Sequence, residues 1–216
     1  MVELPIVKKL KKRLHREIAI FQDILVREVF YYFETAVLHG GTAIWRCYQG
    51  NRFSEDVDFY LSPREKNKIL KFFEKLENLG IKILKKKFTS NAFYSRLKQN
   101  EVEIRLEVLF KKIENYITKE YETAEGLRFV INTLSAEDLI KEKIEAYLKR
   151  KMIRDLYDIY FLLNYADKVK IKKEIIKLLN NFQKPIDEKE LKFLIIVGVA
   201  PKLDDILNKI KNYAKK

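Results

Sequence analysis

HGGTAIWRCYQGNRFSEDVDFYL, residues 39–61, is the stretch on which the fold turns. Gly40, Gly41 and Thr42 open it, and the acidic pair Asp56 and Asp58 begins 14 residues after Thr42. Two glycines let the backbone turn tightly and approach a phosphate closely. Thr42 suits the start of a short helix, whose unpaired N–H groups attract anions. The run Asp56-Val57-Asp58-Phe59-Tyr60-Leu61 reads as a strand. Alternate side chains then share a face, with Asp56 and Asp58 on one side and Val57, Phe59 and Leu61 toward a core. Two carboxylates beside a phosphate cradle form a donor set that can hold Mg²⁺ (or Mn²⁺) against a nucleoside triphosphate. Either half alone is commonplace; the order and spacing together are not.

Outward from this stretch, helix and strand periods alternate. Residues 6–33 carry apolar positions at steps of three and four, among them Ile18, Phe21, Leu25 and Val29, and predict one bent helix or two. Val37 and Leu38 form a short strand into the glycines, and residues 42–48 a short helix that sets Arg46 one turn beyond Thr42. Ser62-Pro63 caps a helix that runs to about residue 78 and ends at Gly80. Strands follow over residues 81–88, 93–98, 102–110 and 127–130 or a little beyond. In the third of these, Glu103, Arg105 and Glu107 alternate with an apolar face. From Ser135 onward every pattern is helical, over residues 137–150, 154–165, 171–181, 188–199 and 202–214. The expected domains are therefore 1–134 and 135–216.

Composition narrows the class of partner. The chain has 216 residues, 47% of them hydrophobic, with 44 Lys and Arg against 31 acids, a formal +13. A surplus this large favours a polyanion, RNA or DNA first. No apolar run is long enough to cross a bilayer. The N-terminal residues spread charge through what would be the apolar core of a signal peptide, so the expected compartment is the cytoplasm. One cysteine, Cys47, and two histidines, His15 and His39, offer neither a disulfide nor a Cys/His metal cluster.

GGTAIWR followed by RFSEDVDF resembles the polymerase-β-like nucleotidyltransferases, and more narrowly the AbiEii-type abortive-infection toxins. That family reads close to GGTAL and RFSEDLDF at these positions. A second block, EDLIKEKIEAYLKRKMIRDLYDIYFLL at residues 137–163, resembles the family's lysine- and aspartate-bearing segment. The resemblance implies an α/β fold: a small mixed sheet of polymerase-β nucleotidyltransferase type followed by a C-terminal helical bundle, with the active site in the cleft between them. It implies Mg²⁺-dependent transfer of a nucleotidyl group from an NTP, in a growth-inhibiting toxin with a cognate antitoxin and the tRNA 3′ end as acceptor. By this reading Asp56, Asp58 and Glu107 hold metal, with Glu103 the alternative third carboxylate. Gly40, Gly41, Thr42, Arg46 and Ser54 line the nucleotide. Lys143 meets the triphosphate, and Asp155, or else Asp158, orients it. Arg52 either touches a phosphate or clamps its loop, and His39 either contacts the base or sugar or faces solvent at a strand end. Ile44-Trp45 departs from the family's usual leucine and small or polar residue, which bears on base or acceptor contacts. Two rivals remain: the same chemistry on a small molecule such as a cationic antibiotic, against which +13 argues, and a non-catalytic nucleic-acid-binding module.

Overall fold

The structure, a computed structural model, describes residues 4–215. The chain divides into two compact units, one made by the residues to Gln49 together with Ser54–Thr133, the other by Gly50–Phe53 with Leu134 onward.

The first unit is a mixed sheet with helices. A short helix α1, Ile6–Lys9, leads into α2, Arg13–Tyr32. The apolar stripe of α2 is buried at Ile18, Phe21, Leu25 and Val29, and it includes one polar residue, Gln22. β1, Val37–His39, runs straight into α3, Gly40–Cys47, so the glycines form the first helical turn and not a separate turn before it. β2, Val57–Leu61, buries Val57, Phe59 and Leu61 as the alternation requires. Ser62 caps a 3-10 turn, Pro63–Lys68, that passes into α4, Ile69–Asn78, and Gly80 follows at φ +79°. β3, Lys82–Phe88, β4, Ala92–Gln99, and β5, Val102–Phe110, form an antiparallel meander. β6, Ile117–Glu122, and β7, Arg128–Thr133, complete seven strands in the order β3-β4-β5-β2-β1-β7-β6. β2 lies parallel to β5, and β1 parallel to β7. The sequence pattern misses β6 because ITKEYE buries only Tyr121 and Glu122, which leaves no clean alternation to read.

The second unit is helical. α5, Ala136–Arg150, starts at Ser135, whose hydroxyl accepts the Asp138 N–H at 3.1 Å. α6, Ile153–Leu162, α7, Lys168–Asn180, and α9, Leu203–Lys215, fall close to their expected spans. The helix expected over residues 188–199 does not form as one piece. A 3-10 turn at Glu188–Glu190 and α8, Leu191–Leu194, are followed by extended chain. There Ile195 bridges Arg52, and the Ile196 N–H donates to the Asn51 carbonyl at 2.7 Å. β-Branched Ile195 and Ile196 favour that extended pairing over another helical turn. Among the described residues no helix is long and apolar enough to cross a membrane.

Candidate active site

Strand register builds the acidic site of the first unit. Asp58 pairs with His39 across β1 and with Glu107 across β5. Partners at one register point to the same side of a sheet, so the two carboxylates share a face. The opposite face of β5, with Val102, Ile104, Leu106 and Val108, is buried. Glu103 lies beyond the reach of β2, where pairing ends at Leu106, and sits instead beside Lys98 and 3.8 Å from Arg96. Burial, then the charge of Asp58, pushes the Glu107 carboxyl above its usual range against the pull of His39 and Arg105. Asp56, just before β2, is taken by Arg105: Nε donates to one carboxylate oxygen at 2.9 Å and Nη2 to the other. His39 does not face solvent. It is buried and stacked on Tyr60, with ring centroids 3.9 Å apart.

The cradle residues divide into those that shape the site and those that do not reach it. Gly40 has φ +73°, and a Cβ there would stand 2.2 Å from Asp58 Oδ2. Only glycine lets the start of α3 come this close to that carboxylate. The Thr42 hydroxyl is fully buried and donates to the Asp56 carbonyl. It also accepts from Gln22 Nε2 at 3.4 Å, and the same amide nitrogen donates to the Ser54 carbonyl at 2.8 Å. The Thr42 hydroxyl therefore holds the loop that carries Asp56, a network Ser54 joins through its carbonyl, and the backbone of α3 is what Thr42 adds to an anion site. Arg46 is a correction. Its side chain is 1% exposed, bonds the Ala19 carbonyl at 2.8 Å and Asp23 at 3.1 Å, and lies over the Trp45 ring. It belongs to the interior of the unit, where it offsets the burial of Asp23, and it is not placed to meet a nucleotide. Cys47 is core, its thiol pushed up to about 12 by burial.

The second unit concentrates charge at α5 and α6. Lys143 Nζ lies 2.7 Å from Asp158 and 3.6 Å from Asp155. Arg52 grips Asp158 with two bonds of 2.7 and 2.8 Å, and Arg150 grips Asp155 with two of 2.7 Å. Both aspartates are buried to within 1%. Burial works to raise the Asp158 carboxyl, but Arg52 and Lys143 outweigh it and hold it below the usual range. The nearer partner of Lys143 is thus Asp158, with Asp155 second. Arg52 resolves as a loop clamp, donating also to the Phe53 carbonyl at 2.8 Å. Lys141 points elsewhere on α5, toward Asp138 at 3.0 Å.

Two contributors were not legible as site residues. Gln22 is signalled only as a polar residue in an apolar stripe. Arg105 is signalled only as one of three charged residues, with Glu103 and Glu107, that alternate with an apolar face. Among the described residues no three His, Cys, Asp or Glu side chains stand close enough to hold a metal ion. The donor set still fits a divalent cation. Asp58 and Glu107 are like charges kept at paired positions on a partly buried face, two oxygen donors of the kind a divalent cation takes, whereas both oxygens of Asp56 are bonded to Arg105.

A family model described as nucleotidyl transferase AbiEii toxin, type IV toxin–antitoxin system, matches residues 23–205. A search of curated protein sequences finds no match. Among solved structures, MenT4, a nucleotidyltransferase toxin (Rv2826c) from Mycobacterium tuberculosis H37Rv, superposes with TM-score 0.62 at 16% identity, covering 94% of this chain and 84% of that one. JHP933 from Helicobacter pylori gives 0.58 at 22% identity, covering 91% and 90%. A putative nucleotidyltransferase from H. pylori gives 0.55 at 21% identity, covering 91% and 93%. These likenesses are of fold.

Proposed function

The chain belongs to the AbiEii nucleotidyl transferase toxin family of type IV toxin–antitoxin systems and is a nucleotidyltransferase, and from that premise we propose that it transfers a nucleoside monophosphate from an NTP to RNA. The acceptor is a 3′-terminal hydroxyl, that of tRNA first. The growth arrest this causes is relieved by a cognate antitoxin, and the compartment is the cytoplasm, where both substrates are found. The observation that carries this reading is the pairing of Asp58 with Glu107 directly against the close approach of Gly40.

Asp56, Asp58 and Glu107 are the residues that would hold Mg²⁺, which when bound supplies charge neutralisation at the triphosphate and lowers the pKa of a coordinated hydroxyl. The backbone N–H groups at the start of α3 favour the β- and γ-phosphates. The acceptor oxygen bonds to the α-phosphorus, the bond from that phosphorus to the β-bridging oxygen breaks, and pyrophosphate leaves. Glu107, at the position paired with Asp58, is suited to align the acceptor hydroxyl and take its proton. Lys143 neutralises charge on the triphosphate, a task for a compact ammonium, and the family resemblance supports this role.

The test is incubation with each labelled NTP, Mg²⁺ and total RNA. Label should enter RNA with the native protein and vanish with Asp58→Ala at unchanged fold. Lys143→Ala should cut transfer sharply while Lys141→Ala stays near native. Label on no RNA species, or only on a small molecule, would overturn the RNA reading.

A further inference from the structure

The face that carries Asp58 and Glu107 continues across the sheet to its edge. Register sets Tyr94 of β4 opposite Glu107, and Lys87 of β3 opposite Tyr94. One row therefore reads Asp58, Glu107, Tyr94, Lys87 from β2 to the edge strand. The neighbouring row reads Arg105, Arg96, Lys85. Burial fixes which way these side chains point: Phe93, Ser95 and Leu97 of β4 are buried on the other side, and Tyr94 and Arg96 are exposed. Phe88 packs on Phe93 with ring centroids 4.3 Å apart, which leaves Lys85 and Lys87 on the acid-bearing face. At roughly 5 Å between strands, Tyr94 lies ~5 Å and Lys87 ~10 Å across the sheet from Glu107. Besides Asp56, Asp58 and Glu107 of the site itself, the described acids near this surface include Glu103, 3.8 Å from Arg96, and Glu101, 3.6 Å from Lys98.

We propose that this face of β3, β4 and β5 is the surface on which the single-stranded 3′ segment of the RNA acceptor lies, with Tyr94 stacking a base next to the reacting hydroxyl and Lys85, Lys87 and Arg96 holding the phosphates behind it. The proposal rests on the nucleotidyl-transfer reading above and specifies its acceptor. An exposed aromatic ring flanked by cations on a sheet binds single strands by stacking and charge without needing a particular sequence. Lysines on an edge strand also guard against edge-to-edge pairing. That task requires neither an exposed tyrosine within the row nor a row that ends on a carboxylate pair. A folded duplex would present its bases stacked inward, out of Tyr94's reach.

Binding is read by fluorescence anisotropy with a short 5′-labelled single-stranded RNA, in chelator and without NTP, so that no transfer intervenes. Tyr94→Ala should weaken binding roughly five- to hundredfold, and Tyr94→Phe should restore it. Lys85→Ala with Lys87→Ala should lower the slope of log affinity against log salt by about 1.4, at ~0.7 per phosphate on a single strand. Lys172→Ala with Lys173→Ala, an equal charge loss on exposed positions of α7, should change the slope far less. In steady-state transfer the Tyr94 and double-lysine variants should raise the half-saturating RNA concentration and leave that of NTP unchanged. If native protein labels RNA and these variants bind and label it alike, the proposal is wrong. It is equally wrong if the α7 pair costs as much as the β3 pair, or if a blunt RNA duplex binds as tightly as the single strand. If native protein labels no RNA at all, the nucleotidyl-transfer reading is what fails, and the binding measurements still judge the surface.

Discussion

Gly40→Ala separates two costs that a glycine can hide. Left-handed backbone costs an alanine about 1–2 kcal/mol. Gly80, at φ +79°, has nothing within 4 Å of an added Cβ, so Gly80→Ala measures that backbone cost alone. At Gly40, φ +73°, the added Cβ would lie 2.2 Å from Asp58 Oδ2, 3.1 Å from Cγ and 3.2 Å from Cβ. The whole carboxylate has to turn away, and holding a side chain off its rotamer adds about 0.5–1.5 kcal/mol. Gly40→Ala should therefore destabilise by about 1.5–3.5 kcal/mol against about 1–2 for Gly80→Ala. With ~2–4 °C of melting temperature per kcal/mol for a chain of this size, the two variants should be distinguishable in a thermal melt. The stronger separation is functional. Calorimetric titration with Mn²⁺ should show at least about a tenfold loss of affinity, ~1.4 kcal/mol, for Gly40→Ala and none for Gly80→Ala. Equal melting losses together with native Mn²⁺ affinity in Gly40→Ala would refute the account of Asp58 as a carboxylate positioned by the start of α3.

Arg105→Ala should tighten Mn²⁺ binding, because Asp56 no longer has to leave a two-bonded partner; with Arg105 largely exposed the gain should be at most about fivefold, the worth of a surface pair near 1 kcal/mol, and a loss of affinity would show that Arg105 supports the site. Glu107 binds its proton more readily folded than unfolded, so metal-free stability should fall as pH rises through its elevated range. Glu107→Gln should remove that slope and raise the melting temperature at neutral pH while abolishing transfer, and an unchanged slope would show that the carboxyl is not strained. Asp158→Asn leaves Arg52 and Lys143 buried around a neutral amide and should cost about 3–5 kcal/mol in urea unfolding. Since Asp158 is held below its unfolded range, its stabilisation should be complete above that unfolded range and disappear as pH falls through the folded one. A native-like midpoint for Asp158→Asn would place the ion cluster outside the stability of its unit.

Much of this molecule is written in local pattern. The period of two in residues 102–110 assigns Glu103, Arg105 and Glu107 to one face without any knowledge of neighbours. The alternation around Val57, Phe59 and Leu61 does the same for Asp58, and caps and prolines mark most helices to within a few residues. Pairing across the chain is not local, and it decided the rest. β2 and β5 are joined in parallel by residues about 50 positions apart, and only that register puts Glu107 rather than Glu103 opposite Asp58. Helical spacing brings Arg46 near Thr42, but the packing of α3 against the rest of its unit turns it inward to Asp23. Arg52 was ambiguous until residues 50–53 were seen to pair with residues 194–196, the same pairing that ends α8 early. Local sequence sets which residues are apolar, which alternate and where the chain can turn, because those follow from the bond geometry of a few consecutive residues. Tertiary structure alone decided which carboxylate meets which cation. That depends on strands and helices distant in the chain, whose pairing energy is shared among many contacts and leaves no mark at any single position.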